Sequence, residues 1–236
     1  MHRRNPIEDE AKRLRIKFLM HFTRVDNLES IVQHGLLPRS SLLEREDVTA
    51  VPSSESRLDE ENEAVSVSIN SINHCMFQAK DGKCGHPYWV VLLLDPCILW
   101  KRRCRFYRRN AAMKDVEHHF GTGAWSLNRM FSDQYPPVGF RGKSYRAETC
   151  IPPYLPTYPD AEVQVFGGID PGFVVGAWVN TDERKERAEY VQEQLDKLPG
   201  PERTTYVRPF EVCMNGYFQW LRPGGEGALC FAEFIM

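Results

Sequence analysis

Four groups of residues in this chain have types that could do chemistry. The first is a carboxylate, Glu162, in the segment Pro159-Asp160-Ala161-Glu162-Val163-Gln164-Val165-Phe166. Val163 and Val165 alternate with Glu162 and Gln164, which predicts a strand with one apolar and one polar face. Glu162 then stands just inside the strand's start, where it could point into a cleft. Taken alone, the segment reads more simply as an edge strand with a solvated glutamate. The second group is His21 at the end of Phe18-Leu19-Met20-His21-Phe22-Thr23, a predicted first strand. A lone histidine there is more simply a satisfied core residue. The third is the most basic window, Lys101-Arg102-Arg103-Cys104-Arg105-Phe106-Tyr107-Arg108-Arg109-Asn110. Its interleaved aromatics suit phosphate contacts and base stacking on single-stranded nucleic acid, although a solvated basic face fits equally. The fourth is His74-Cys75, Cys84 and His86, close enough to raise zinc; they lack C-x-x-C spacing, and no metal is expected.

Other chemistries are excluded by pattern. Gly167-Gly168 and Gly224-Gly225 lack the spacing of a P-loop or a dinucleotide-binding fingerprint. There is no Gly-x-Ser-x-Gly elbow and no His-Glu-x-x-His.

The elements that must carry these residues follow from periodicity. After the first strand, Asp26 with Glu29 three residues on suggests a capping box, and Gly35 sits where a helix would end. Residues 39–63 lack periodicity and read as a long surface loop. Ala64–Ile69 alternates as a strand with Ser66 and Ser68 on its polar face. Residues 70–78 are ambiguous and admit a turn of helix. Tyr88–Leu94 is a continuous apolar run, hence a buried strand, and Cys97–Trp100 a short helical turn. In 113–131, Trp125, Leu127, Met130 and Phe131 are candidate core contacts. Loop residues 132–145 carry Arg141 and Lys143. Phe173–Val179 and Thr205–Val212 are further strands, with an amphipathic helix over 181–198 between them and an apolar tail, 217–236, expected to pack.

The chain has 236 residues, 42% hydrophobic and 26% charged, as in ordinary globular proteins. One domain over 1–236 is expected, without repeats. With 30 Lys+Arg against 32 Asp+Glu, net charge −2, global charge points to no partner, and only the local basic windows do. No apolar run reaches membrane-span length, no signal peptide is visible behind Met1-His2-Arg3-Arg4, and the seven cysteines are scattered. A cytoplasmic protein with free thiols, acting away from membranes, is the simplest account.

Five blocks raise a family resemblance. Phe18 through Leu36 resembles the opening motif of the DarT family of DNA ADP-ribosyltransferase toxins. Asn73-His74-Cys75-Met76-Phe77 is similar to that family's Pro-Asn-Tyr-Lys-Met-Phe segment. Trp89 through Pro96 and Arg108 through Ala112 look like the next two blocks, and Asp160 through Pro171 resembles the block holding the catalytic glutamate. In the family's order they cover about residues 18–175.

The resemblance implies an α+β ADP-ribosyltransferase fold, with two abutting β-sheets around an NAD cleft and peripheral helices. It implies NAD as co-substrate and no metal. His21 and Thr23 match positions that hold NAD, Asn27 lies where the chain turns beneath it, and Met76 matches a position near the nicotinamide. Glu162 matches the catalytic glutamate, and Arg57, in Ser56-Arg57-Leu58-Asp59, looks like the catalytic arginine. Arg105, Tyr107, Arg108, Arg109, Asn110, Arg141 and Lys143 are then candidate DNA contacts. Family members modify thymine or guanine in single-stranded DNA. The Asn73–Phe77 and Asn110–Ala112 segments look closer to the guanine-modifying branch, and the thymine branch's Pro-Arg-Ser-Pro-Met pattern is not present. His74-Cys75, Gln164 and Gly167-Gly168 depart from the family pattern. The implied role is the toxin of a toxin–antitoxin pair, with a DarG-like macrodomain or another ADP-ribosyl hydrolase as antitoxin. Transfer to RNA or protein, or a non-catalytic nucleic-acid-binding module on the same scaffold, remain alternatives.

Overall fold

A computed structural model describes residues 5–52, 59–113, 119–133, 144–149, 151–180, 185–208 and 210. Among these, seven strands run β1 (Leu19–Arg24), β2 (Ala64–Ile69), β3 (Trp89–Leu94), β4 (Cys104–Tyr107), β5 (Glu162–Phe166), β6 (Val174–Val179) and β7 (Thr204–Val207). The helices are α1 (Pro6–Arg13), α2 (Leu28–His34), α3 (Arg39–Glu44), α4 (His74–Lys83), α5 (Ile98–Lys101), α6 (Ala124–Arg129), α7 (Tyr145–Glu148) and α8 (Lys185–Asp196). None of the described helices is long and apolar enough to cross a membrane.

The strands share one order, β4-β5-β2-β1-β3-β6-β7, antiparallel except for the β6–β7 pair. The expected pair of abutting sheets is therefore one seven-strand array with a weak seam. At that seam β1 and β2 share only Leu19↔Ile69 and Met20↔Ser68 as register partners. On its other side β1 pairs with β3 over six positions, Leu19↔Leu94 through Arg24↔Trp89. Beyond Met20 the backbones of β1 and β2 part, and a side chain takes over the link: His21 Nδ1 donates to the Ser66 carbonyl at 2.9 Å.

The apolar run of β3 is buried along its whole length because both its edges and both its faces are covered. Successive side chains alternate across the sheet. Val90, Leu92 and Leu94 join the larger core with Leu28 and Ile31 of α2 and Val191 and Leu195 of α8. Trp89, Val91 and Leu93 join the smaller one. There Phe77 of α4 meets Phe22 and Trp89 edge-on, with ring centroids 5.3 and 5.5 Å apart. A buried Asn70, at φ +54°, locks the corner after β2. Its oxygen accepts from Lys17 N and Phe18 N, and its nitrogen donates to the carbonyls of Arg15 and Tyr154. Asparagine tolerates this left-handed conformation better than most residues.

Several expectations change. β5 is an interior strand between β4 and β2, so Glu162 is not a solvated edge residue. The capping box at Asp26 does not form: Asp26 pairs with Arg24, and α2 begins after Asn27, which makes no side-chain cap bond. Loop 39–63 contains α3, and the ambiguous stretch after Asn70 resolves into α4, whose N-cap Asn73 accepts from Met76 N at 3.0 Å. Trp125 is 65% exposed and stacks under the Arg129 guanidinium instead of joining the core, whereas Leu127 and Met130 are fully buried. The tail 217–236 lies outside the described residues.

Candidate active site

The seam between β1 and β2 is where the candidate site is built. Glu162 opens β5 and is buried, 7% exposed. Its Oε1 accepts from the Ser66 hydroxyl at 2.6 Å and its Oε2 from the Ala111 amide at 3.1 Å. Both contacts are donors, which suits a carboxylate and offsets its loss of water. Ser66 stands opposite Gln164 in the β2–β5 register, so its hydroxyl reaches diagonally to Glu162 on the same face. The same Ser66 offers its carbonyl to His21. One residue of β2 therefore joins the histidine and the carboxylate, with bonds at 2.9 and 2.6 Å. Because Nδ1 of His21 must carry the proton it donates, the neutral ring keeps its lone pair on Nε2.

Thr23, two residues along β1, is buried and accepts from the Asn27 side chain at 3.0 Å. The Asn27 amide also grips Val51, donating to its carbonyl at 3.0 Å and accepting from its N–H at 2.7 Å. Asn27 thus anchors the start of the loop that leads toward Arg57. Arg57 itself, Arg141 and Lys143 lie outside the described residues. Met76 sits in the first turn of α4, placed through Asn73 below and Phe77 against Phe22.

The basic window forms β4 and the turn after it, and its residues take different surroundings. Arg105 donates to Glu61 at 2.7 Å and lies over the Phe120 and Phe166 rings, 4.4 and 4.6 Å from their centroids. Tyr107, opposite Glu162 in the β4–β5 register, is buried rather than displayed as a stacking platform. Burial pushes its phenol above the usual value, which keeps the hydroxyl a donor, and it bonds Gln164 Oε1 at 3.2 Å. Arg108 donates to the Ser132 carbonyl. Arg109 Nε reaches both oxygens of Asp160 at 2.8 and 3.0 Å, and the Asn110 amide meets the same carboxylate at 3.3 Å. Asn110 in turn accepts from Ala112 N at 2.8 Å, shaping the turn that presents Ala111 N to Glu162.

Beside Ala111 and Gln164 opens a cleft of about 280 Å³, lined also by the carboxylates Asp59, Glu60 and Glu61 and by Arg105, Tyr107 and Phe120. Phe120, 41% exposed, is the aromatic surface there that sequence reasoning missed. Ser66, Ala111 and Gln164 were also not picked out as site residues. For Ser66 the signal was present, since it lies on the polar face of β2. For Ala111 there was none, because it acts through its backbone. Among the described residues no group of three or more His, Cys, Asp or Glu gathers as a metal site.

A buried carboxylate held by donors, next to a histidine across a sheet seam and a cleft with an aromatic wall, can stabilise positive charge and accept a proton. A family model described as ssDNA thymidine ADP-ribosyltransferase, DarT, matches residues 20–214. Among solved structures, Thermus sp. 2.9 DarT in complex with NAD+ is similar, at 15% identity and a TM-score of 0.53, covering 81% of this chain and 94% of that one. The same protein in complex with ADP-ribosylated ssDNA gives 14% identity and a TM-score of 0.51 over 82% and 95% of the two chains. Its complex with carba-NAD+ gives 13% and 0.52. No curated protein matches the sequence.

Proposed function

The chain belongs to the DarT family, and from that premise we propose that it transfers ADP-ribose from NAD to a base of single-stranded DNA, with Glu162 as the catalytic carboxylate. The observation that carries this reading is the burial of Glu162 between the Ser66 hydroxyl and the Ala111 amide at the β1–β2 seam. NAD lies along the seam, held through His21 and Thr23, with Asn27 setting the loop beneath it and Met76 near the nicotinamide, and Arg57 serves as the catalytic arginine. Nicotinamide leaves with the electron pair of its bond to the ribose C1′, and Glu162 stabilises the oxocarbenium-like state that results. A base nitrogen forms the new bond to C1′, and its proton passes to Glu162.

The acceptor is thymine or guanine. The family model's description favours thymidine, whereas the Asn73–Phe77 and Asn110–Ala112 segments resemble the guanine-modifying branch. Arg105, with Phe120 beside it, supports DNA binding at the cleft, and Arg108, Arg109, Asn110, Arg141 and Lys143 are the further candidate DNA contacts. The biological role is that of a toxin whose partner antitoxin, a macrodomain or similar hydrolase, removes the ADP-ribose. The reaction runs in the cytoplasm, a reducing compartment that suits thiols such as Cys75, Cys97 and Cys104.

Incubation with NAD and single-stranded oligonucleotides, each carrying one thymine or one guanine among cytosines and adenines, tests the reading. Mass spectrometry should show one ADP-ribose on at least one of the two. No adduct on any DNA from a folded protein contradicts it.

A further inference from the structure

An interior strand has no packing need for the amide of Gln164. Its neighbours on β5, Val163 and Val165, are fully buried, and Gln164 itself is 1% exposed. A buried amide is costly unless its groups are bonded, and an aliphatic residue would avoid that cost. Both ends of the Gln164 amide are bonded. Nε2 donates to Asp59 Oδ2 at 2.9 Å, and Oε1 accepts from Tyr107 OH at 3.2 Å. Because a carboxylate only accepts, Asp59 fixes which end is nitrogen. Tyr107 then locks that orientation from within β4, where it is itself held by burial and by the Phe120 ring 5.6 Å away.

Gln164 stands two residues after Glu162, so the pleat puts both side chains on one face of β5. The adjoining cleft, about 280 Å³, lies at the small end of ligand pockets, which span roughly 300–1,000 Å³. It suits one planar ring system better than a dinucleotide. Phe120 and the Arg105 guanidinium stacked on it, 4.4 Å from its centroid, supply a flat wall on which a base can lie.

We propose that Gln164 is a specificity-determining residue for the acceptor base, its Nε2 donating to the carbonyl oxygen of the lactam edge that thymine and guanine share. The half-buried Asp59 carboxylate occupies the acceptor's place beside Nε2 and is displaced by that oxygen. Cytosine and adenine present an amino group at the same edge, setting donor against donor. A site built around such a bond rejects the analogue that lacks it, because its own polar groups are left unpaired. This assignment rests on the reading of the chain as a DNA-base transferase.

The test is the kcat/KM for transfer to four oligonucleotides that differ only in the acceptor base, for wild type, Q164L and Y107F, alongside Tm and NAD affinity. Wild type should favour thymine or guanine over cytosine and adenine. Q164L should shrink that preference by about tenfold or more, through loss of the favoured base rather than of all bases alike. Y107F, which frees Oε1 and lets the amide turn, should shrink it in the same sense and keeps the test alive if Q164L folds poorly. Ratios unchanged in both variants, an equal loss on every base, or a wild type that prefers cytosine or adenine overturns the assignment while leaving ADP-ribose transfer to single-stranded DNA standing. Transfer to no DNA by wild type contradicts the proposed function and this assignment together.

Discussion

Ser66 and Glu162 lie 96 positions apart in the chain, yet the Ser66 hydroxyl donates to Glu162 Oε1 at 2.6 Å. The contact exists because β2 and β5 are antiparallel neighbours with Ser66 opposite Gln164. Hydrogen bonds to charged groups contribute about 1.5–3 kcal/mol, so Ser66→Ala should lower kcat/KM for ADP-ribose transfer by about tenfold or more. The His21 bond to the Ser66 carbonyl is untouched by this change, which isolates the hydroxyl. Steady-state kinetics that match wild type would separate Ser66 from the reaction.

Asn27 ties Thr23 to Val51 through three hydrogen bonds of 3.0, 3.0 and 2.7 Å. Asn27→Ala should loosen the loop that follows and raise KM for NAD by roughly tenfold, the equivalent of about 1.4 kcal/mol, with a smaller change in kcat. Asn27→Asp keeps an acceptor for Val51 N and should fall between the two. An NAD titration of all three proteins reads the order.

How far the sequence foretold this arrangement depended on how local each cause is. The alternation in Ala64–Ile69 matched β2 residue for residue, and the apolar run at Tyr88–Leu94 matched β3 except for Tyr88, which is exposed and precedes the strand. β5 was also legible as a strand, but its environment was not. Glu162 and Gln164 looked like a solvated face, and what buries them is β4 and β2, both distant from β5 in the chain. The Asp26 capping box failed because the side chains at the helix start bond elsewhere. Arg24 took the Asp26 carboxylate, and Asn27 turned to Thr23 and Val51. α4 was ambiguous because its buried contacts, His74 and Phe77, are too few to set a period, and its start depends on one capping side chain, Asn73.

Arg203 is 5% exposed and donates to four main-chain carbonyls, those of Val174, Leu198, Pro199 and Pro201. It fastens the turn after α8 to the start of β6. Arg203→Met leaves those carbonyls short of donors and should cost about 3 kcal/mol, a fall in Tm of roughly 6–12 °C. A thermal melt within two degrees of wild type would show that the turn is held by other contacts.

Burial raises the Cys97 thiol to about 11 and the Cys104 thiol to about 12, while Cys75 is exposed. The thiolate is the nucleophile, so both buried thiols stay protonated and inert at pH 8 and react only as pH climbs toward those values. Alkylation at pH 8 followed by peptide mapping should label Cys75 within the native protein, and Cys97 and Cys104 only after denaturation. Rapid native labelling of Cys104 would contradict its burial.

Glu162 is the residue proposed to carry the transfer. Glu162→Gln preserves the shape of the side chain: its oxygen can accept from Ala111 N, and the Ser66 hydroxyl can rotate to accept from the new amide. The variant should therefore keep its Tm and its NAD affinity while transfer to single-stranded DNA falls by about 10²–10⁴-fold, the range for loss of a positioned general base. Mass spectrometry of the oligonucleotide after incubation with NAD measures this directly. An undiminished ADP-ribose adduct from the folded E162Q protein would contradict the account.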